Sequence, residues 1–323
     1  MKRKQLLGFA VAGLLVLSGC QSKVQDDGKD VIASIQGKNI TADDVYKNLS
    51  TVAGSQGASF TFVLDQLVNE KFPVTSDMKE NANEMIENIE TTYDNQYGDE
   101  ADTQLESALA SAGYKNMDDY KQDIIYSLQR AEFLKKYVKD NFDEVFDDYY
   151  QYASPRYMSL IKVSMSDVEN PTDQEQEKLD EVKSLLKTDK SFEDIASDYS
   201  DDDSASAKGN IGIVDTSSAL ATTYGSDVLD KALALKTNEI SEPIKGTDGY
   251  YILKCTGNDK ETIKNELKNV DIDSPLLAYD QYMSYLAFQT YEFSYDDETF
   301  EKQINKIIDD ALKARDEARG GNE

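Results

Sequence analysis

The chain of 323 residues carries 62 acidic against 34 basic side chains, a net charge of -28, and has no histidine. Such a charge repels nucleic acid and anionic lipid head groups, so no nucleic-acid partner is expected. Without histidine, Ser-His-Asp and Cys-His catalysis and the usual zinc sites are excluded. No phosphate-binding loop or dinucleotide fingerprint is present either. Neither a cofactor nor a metal is expected.

Lys2, Arg3 and Lys4 precede an apolar stretch over residues 6–17, which ends in Leu17-Ser18-Gly19-Cys20. A basic head, a short apolar core and small residues before a break have the layout of an export signal. The run is shorter than the ~20 residues of a membrane-spanning helix. Leu-Ser-Gly-Cys resembles the bacterial lipobox, which implies cleavage after residue 19 and lipid attachment at Cys20, a membrane anchor of two or more acyl chains. Residues 1–19 are therefore assigned as signal peptide and 20–29 as a lipidated polar tether. With Cys20 lipidated, Cys255 has no disulfide partner, and its apolar surroundings make it a buried small hydrophobe.

Residues 31–35 are expected to form one short strand, turned by Gly37, Lys38 and Asn39. Thr41 then serves as a helix N-cap, with Asp44 completing a capping box. Helical spacing dominates from there to about Tyr152. Phe62, Val63, Leu67 and Val68 share a face, as do Met78, Met85, Ile86 and Ile89. Asp118 caps a long helix whose apolar side carries Ile124, Leu128, Ala131, Leu134 and Val138. Residues 30–153 thus form an N-terminal helical module with one small strand.

Ser154-Pro155 interrupts this pattern, because proline disfavours helix in the residue before it. A strand is expected over 156–163. Pro171 and the capping box Thr172-Asp173-Gln174-Glu175 open a helix with Leu179, Val182, Leu185 and Leu186 on one side. A shorter helix follows Ser191, a strand covers 211–214, a helix 226–234, and strands 239–244 and 250–255 close the unit. Elements of this size over residues 154–256 make a compact α+β domain. Helical texture returns over 257–315, with Leu276, Leu277, Met283 and Leu286, then Phe300, Ile304, Ile307, Ile308 and Leu312. Neither helical flank has a complete core, so the two are expected to pack together with the α+β domain inserted between them. Residues 316–323 are assigned as a disordered tail.

Three motifs in the inserted domain carry a family resemblance. Ser191-Phe192-Glu193-Asp194-Ile195-Ala196-Ser197-Asp198-Tyr199-Ser200 is the first, and Ser204-Ala205-Ser206-Ala207-Lys208-Gly209-Asn210-Ile211-Gly212 the second. The third joins Glu239-Ile240-Ser241-Glu242-Pro243-Ile244 to Gly249-Tyr250-Tyr251-Ile252-Leu253-Lys254. Together they resemble the parvulin-type peptidyl-prolyl isomerases. With the lipobox and the helical flanks, the arrangement is similar to the foldase lipoproteins of the PrsA type. That resemblance implies a helical chaperone module, a central parvulin-like domain, a place on the outer face of the plasma membrane, and unfolded or partly folded secreted proteins as partners.

It also implies a groove, and this sequence departs from the family's residues there. Ser159 stands where the first histidine is usual and Tyr251 where the last is. Asp202 keeps the acidic position, and Tyr224 and Val228 replace the Met-Phe pair that holds proline. The catalytic candidates are therefore Asp202, Ser159 and Tyr251, and the substrate-groove candidates Tyr224 and Val228. Rotation about an X-Pro bond must overcome ~18–20 kcal/mol of amide resonance, yet needs no proton transfer, metal or covalent intermediate. Weak or absent isomerase activity in a retained fold is expected, with hydroxyls of Ser159 and Tyr251 rebuilding part of a network around Asp202. The Asp201-Asp202-Asp203 run lacks the spacing of a calcium loop.

Tyrosines cluster at Tyr149, Tyr150 and Tyr152 and recur at Tyr279, Tyr282, Tyr285 and Tyr291, amphipathic rings suited to loose contact with unfolded chains. Two further readings stand beside the foldase: a non-catalytic holdase, and a solute-binding lipoprotein with two similar α/β lobes. The oligomeric state is left open, a dimer included.

Overall fold

The structure, a computed structural model, describes residues 25, 26, 28–35, 38–41 and 55–320. Cys20, the signal segment and the Asp44 half of the expected capping box lie outside them. The described residues fall into two units, one ending at Thr61 and one beginning at Phe62.

The first unit holds a three-stranded antiparallel sheet of β1 (Gln25–Asp26), β2 (Lys29–Ile35) and β3 (Lys38–Thr41), in that order. This corrects two expectations. Residues 25 and 26, assigned to the tether, pair with β2 through a turn at Gly28, whose φ of 77° suits glycine. Thr41 pairs with Val31 at the end of a strand instead of capping a helix, and the Asn39 amide donates to Asp26 over 2.9 Å. Short-range cap signals yielded here to strand pairing.

From Ser55 the chain is helical: α1 (Ser55–Lys71), α2 (Ser76–Tyr97), α3 (Ala101–Ser111), α4 (Met117–Asp140) and α5 (Phe142–Tyr152). Leu67 and Val68 point inward as their spacing requires, whereas Phe62 is 63 % exposed, so the expected apolar face is narrower than its sequence. Met85 is likewise exposed beside buried Met78 and Ile86. The long helix α4 starts one residue before Asp118, because the Asn116 side chain caps it by accepting the Asp119 N–H at 2.8 Å.

The second texture is a four-stranded antiparallel sheet with strand order β5-β4-β7-β6: β4 (Arg156–Ser164), β5 (Asn210–Val214), β6 (Ile244–Lys245) and β7 (Gly249–Gly257). Helices α6 (Asp173–Leu185) and α7 (Phe192–Tyr199) cover one face, where Ile161, Val163 and Ile252 meet Leu179, Val182, Phe192 and Ile195. The other face, with Met158, Leu160, Leu253 and the buried Cys255, meets α8 (Leu220–Tyr224) and α9 (Ser226–Ala234). Alternation along β4 and β7 sorts these side chains. The expected strand over 239–244 shrinks to β6 plus a bridge between Ile240 and Lys254. Pro243 has no N–H to give a ladder, and Asn238 turns the chain with a φ of 65°. Two α/β lobes of the solute-binding kind do not occur among the described residues, and the fold is α+β.

After β7 come α10 (Lys260–Leu267), α11 (Met283–Phe288) and α12 (Glu298–Ala318). Ile263, Leu267, Leu276 and Met283 share a buried cluster with Val138, Val145, Phe146 and Tyr149 from α4 and α5. Helix α12 runs into the stretch assigned as a disordered tail. Its end is fixed because Arg315 and Arg319 both bind Asp148 and Asp280 at 2.6–3.0 Å. No described helix is long and apolar enough to cross a membrane.

Candidate functional site

Strand β4 positions the site. Its register sets Lys162 opposite Tyr251 of β7, so both side chains share the α8–α9 face of the sheet. The backbone of Lys162 also guides the next loop. Its N–H donates to Ser200 Oγ at 3.0 Å, and its carbonyl accepts the Asp201 N–H at 2.9 Å. That places Asp202 at the start of a tight turn, where its Oδ1 accepts the N–H of Ser204 at 3.0 Å and the hydroxyl at 2.5 Å. The turn closes on Gly209, where a Cβ would lie 2.6 Å from the Leu160 carbonyl and 2.8 Å from the Ala196 methyl. Only glycine, at a φ of 79°, lets this loop lie flat on α7 and β4.

The free oxygen of Asp202 accepts the Tyr224 hydroxyl at 2.8 Å. The Tyr224 ring packs on Tyr251 with centroids 4.8 Å apart and planes tilted 42°. Tyr251 turns its own hydroxyl the other way, donating to Asp248 Oδ1, while Asp248 Oδ2 pairs with Lys162 Nζ at 2.6 Å. The lysine nitrogen stands 5.9 Å from the Tyr251 ring centre. A continuous chain, Asp202–Tyr224–Tyr251–Asp248–Lys162, results.

The electrostatics follow from these contacts. Burial pushes the Tyr224 hydroxyl well up from its ordinary value, and the bond to Asp202 adds to that. Burial does the same to Tyr251, helped by Asp248. Burial would raise the Asp202 carboxyl, but the Ser204 hydroxyl and N–H, the Tyr224 hydroxyl and the Lys162 charge outweigh it and hold the group below its usual range. The Lys162 bond, then the Tyr251 hydroxyl, hold Asp248 low. At neutral pH the site therefore consists of two neutral phenols held between two carboxylates. Both phenol hydrogens are already given to carboxylates, so the site offers a fixed aromatic surface instead of proton transfer.

Two of the residues chosen from sequence sit elsewhere. Ser159 lies opposite Lys254 in β7, and Lys254 reaches Glu193 of α7 at 2.7 Å, so both belong to the opposite face of the sheet. Ser159 is buried there and does not join Asp202. Val228 is fully buried beside Leu160, Tyr251 and Leu253 and is a core residue. The network expected between Asp202 and Tyr251 passes instead through the Tyr224 ring. Lys162 and Asp248 were missed; strand alternation puts Lys162 on the face of Met158 and Leu160, but its partner depends on the β4–β7 register. The carboxylates of Asp201 and Asp202 diverge, since Asp201 pairs with Lys178 at 2.5 Å. Among the described residues no group of three or more acidic or cysteine side chains is arranged to hold a metal ion.

Residues 160–257, which include every member of this chain, match the family model of the PPIC-type PPIASE domain, a rotamase. Over 96 % of its length the chain is 25 % identical to the foldase protein PrsA of Geobacillus kaustophilus, of which the match covers 93 %. It is 29 % identical to the foldase protein PrsA of Bacillus subtilis over 85 % of this chain and 84 % of that one. Crystal structures of PrsA from Streptococcus pneumoniae and B. subtilis align over 85 % and 86 % of the chain and 98 % of each neighbour, with TM-scores of 0.41 and 0.38 and identities of 20 % and 23 %. With a PPIC-type isomerase domain at its centre, the chain is similar almost end to end to curated foldases of the PrsA type.

Proposed function

We propose that the protein is a foldase that assists secreted proteins in folding after export, held on the outer face of the plasma membrane by lipid on Cys20. The export signal and lipobox support the location, and the isomerase-domain match supports the activity. Residues 30–153 and 257–315 would serve as a client-holding helical module, with residues 154–256 inserted as the parvulin-like domain. Unfolded or partly folded polypeptides are the partners.

The carrying observation is the Asp202–Tyr224–Tyr251 arrangement inside the isomerase-type domain. Uncatalysed X-Pro exchange takes tens to hundreds of seconds, slow enough to delay a secreted chain. A groove lowers that barrier by gripping the proline ring on apolar surface and by leaving the twisting amide poorly solvated. Tyr224, partly exposed, supplies the surface; Asp202 fixes its hydroxyl. The complete burial of Tyr251 and Val228 leaves only Tyr224 of these three side chains for a proline to meet, which favours slow isomerisation and gives weight to the holdase reading.

The test combines prolyl-peptide isomerisation with refolding of a secreted client, both on the full chain. Isomerisation above the buffer rate together with improved client refolding supports the foldase. A rate equal to buffer with client refolding still improved makes the protein a holdase. Failure in both assays would remove the proposal.

A further inference from the structure

We propose that Lys162 and Asp248 are positioning residues of the groove: they fix the Tyr251 phenol and, through its ring, the Tyr224 face that a prolyl segment meets. The inference rests on the foldase reading above and assigns it two residues that lie outside the Asp202 turn.

Of the two packed rings, tilted against each other, only Tyr224 has exposed surface; Tyr251 is fully buried. Tyr251 is held on every side. Gly246 lies so close that a Cβ there would come within 2.3 Å of both its ring and the Tyr224 carbonyl. The tip of the β6–β7 hairpin is tied to α8 by the Thr247 N–H on the Tyr224 carbonyl at 3.0 Å and the Thr247 hydroxyl on the Thr223 carbonyl at 3.0 Å. Within that frame the Tyr251 hydroxyl donates to the Asp248 carboxylate, and Lys162 fixes that carboxylate from its other oxygen. Lys162 acts at both ends of the groove, since its backbone also sets the segment that delivers Asp202.

Charge alone does not explain the arrangement. The Asp248 side chain is 57 % exposed, and an ion pair in that setting contributes little to stability. Nor is Lys162 an anchor for an anionic client, because Asp248 neutralises it. What the pair does control is orientation. A ring that must meet proline in one pose loses affinity when its support turns, even if the fold persists.

The experiment uses the full chain with Asp248→Asn, Lys162→Met, Lys162→Arg and Tyr251→Phe. Lys190→Met is the matched control, because Lys190 makes a similar pair with Asp198 at 2.8 Å and stands 5.2 Å over the Tyr199 ring on the other side of the sheet. Isomerisation is measured across a range of prolyl-peptide concentrations, with a thermal midpoint for every variant. Asp248→Asn, Lys162→Met and Tyr251→Phe are expected to lower kcat/KM about tenfold, chiefly through KM. Their midpoints should stay within about 2 °C of wild type. Lys162→Arg, which keeps the charge, should recover most of the loss, and Lys190→Met should match wild type.

Wild-type kinetics in Asp248→Asn and Lys162→Met would overturn the positioning role while leaving the foldase reading intact. A loss in Asp248→Asn that is absent from Tyr251→Phe would overturn it too, whatever the midpoints. If the wild type shows no catalysis, the affinity of prolyl peptide, followed by NMR, becomes the readout for the same comparisons. Neither catalysis nor peptide binding by the wild type would bring down the groove reading, and this inference with it.

Discussion

Tyr149 on α5 donates its hydroxyl to Asp215 at the end of β5 over 2.6 Å, and both side chains are buried. The bond joins helical and sheet parts of the chain through a charged group withdrawn from water. Asp215 spends its other oxygen locally, accepting the N–H and the hydroxyl of Ser217 at 2.7 Å each. The Thr216 N–H continues the seam to the Ala153 carbonyl at 3.0 Å, and the Tyr150 hydroxyl reaches the Asn258 carbonyl at 2.6 Å. Polar contacts thus run along a junction that is otherwise apolar.

Tyr149→Phe keeps the ring that packs edge-on against Tyr279 at 5.2 Å and removes only the donor. Asp215 would then be buried with one oxygen lacking its partner. Hydrogen bonds to charged groups contribute ~1.5–3 kcal/mol, and an abandoned buried acceptor costs a similar amount. The variant is expected to unfold in urea with a stability lower by about 2 kcal/mol. A change under about 0.5 kcal/mol would mean that water takes over the site and that the seam is not structural.

Much of this was legible in the sequence, and the reason is locality. The Thr172 capping box, the Ser191 cap and the apolar spacing of α6 and α7 depend on residues within a few positions of each other, and all form as read. Gly209 stood in the sequence only as part of a motif; that it must be glycine because Leu160 and Ala196 press on it emerges from the fold. The site was half legible. Asp202 and Tyr224, both chosen from the sequence, meet in a bond that was not expected, whereas Ser159, expected beside Asp202, lies on the opposite face of β4 because side chains alternate along a strand. Asp248 was invisible for a related reason: its role depends on pairing Lys162 with Tyr251 across two strands distant in sequence. The end of α12 resembled a frayed tail because its partners, Asp148 and Asp280, lie far back along the chain.

Those partners form a compact clasp. The Asp280 side chain is 3 % exposed and takes both Arg315 at 2.6 Å and Arg319 at 3.0 Å; Asp148 takes the same two arginines and the Tyr279 hydroxyl. Removing one member of a buried ionic network costs about 3–5 kcal/mol, because the remaining charges lose compensation. Asp280→Ala is therefore expected to destabilise the protein by about 3 kcal/mol and to release α12 first, as faster amide exchange over residues 298–318. Wild-type exchange in that helix would show that packing by Ile304 and Ile308 holds it unaided.

Glu175 gives a prediction with a defined pH window. Its carboxylate accepts the Thr172 N–H and the Ser166 N–H, each at 2.7 Å, at the start of α6. The Thr172 bond first and the Ser166 bond next lower its pKa from 4.5 to about 2. Hydrogen bonds to the charged form favour that form, as does the positive end of the helix. Because the folded value is depressed, the stabilisation is fully present above the unfolded value of 4.5 and is lost as pH falls through about 2. An NMR titration should place the Glu175 carboxyl midpoint near 2, below its ordinary value of 4.5. In Glu175→Gln the part of the acid destabilisation lying between 4.5 and 2 should shrink, while stability at pH 7 falls because the uncharged amide is a weaker acceptor at a helix N-terminus. A titration midpoint near 4.5 would instead show that the capping box is open in solution, leaving the end of β4 to the Ser164 N–H on Asp201 and the Met165 N–H on the Asp248 carbonyl, each at 3.0 Å.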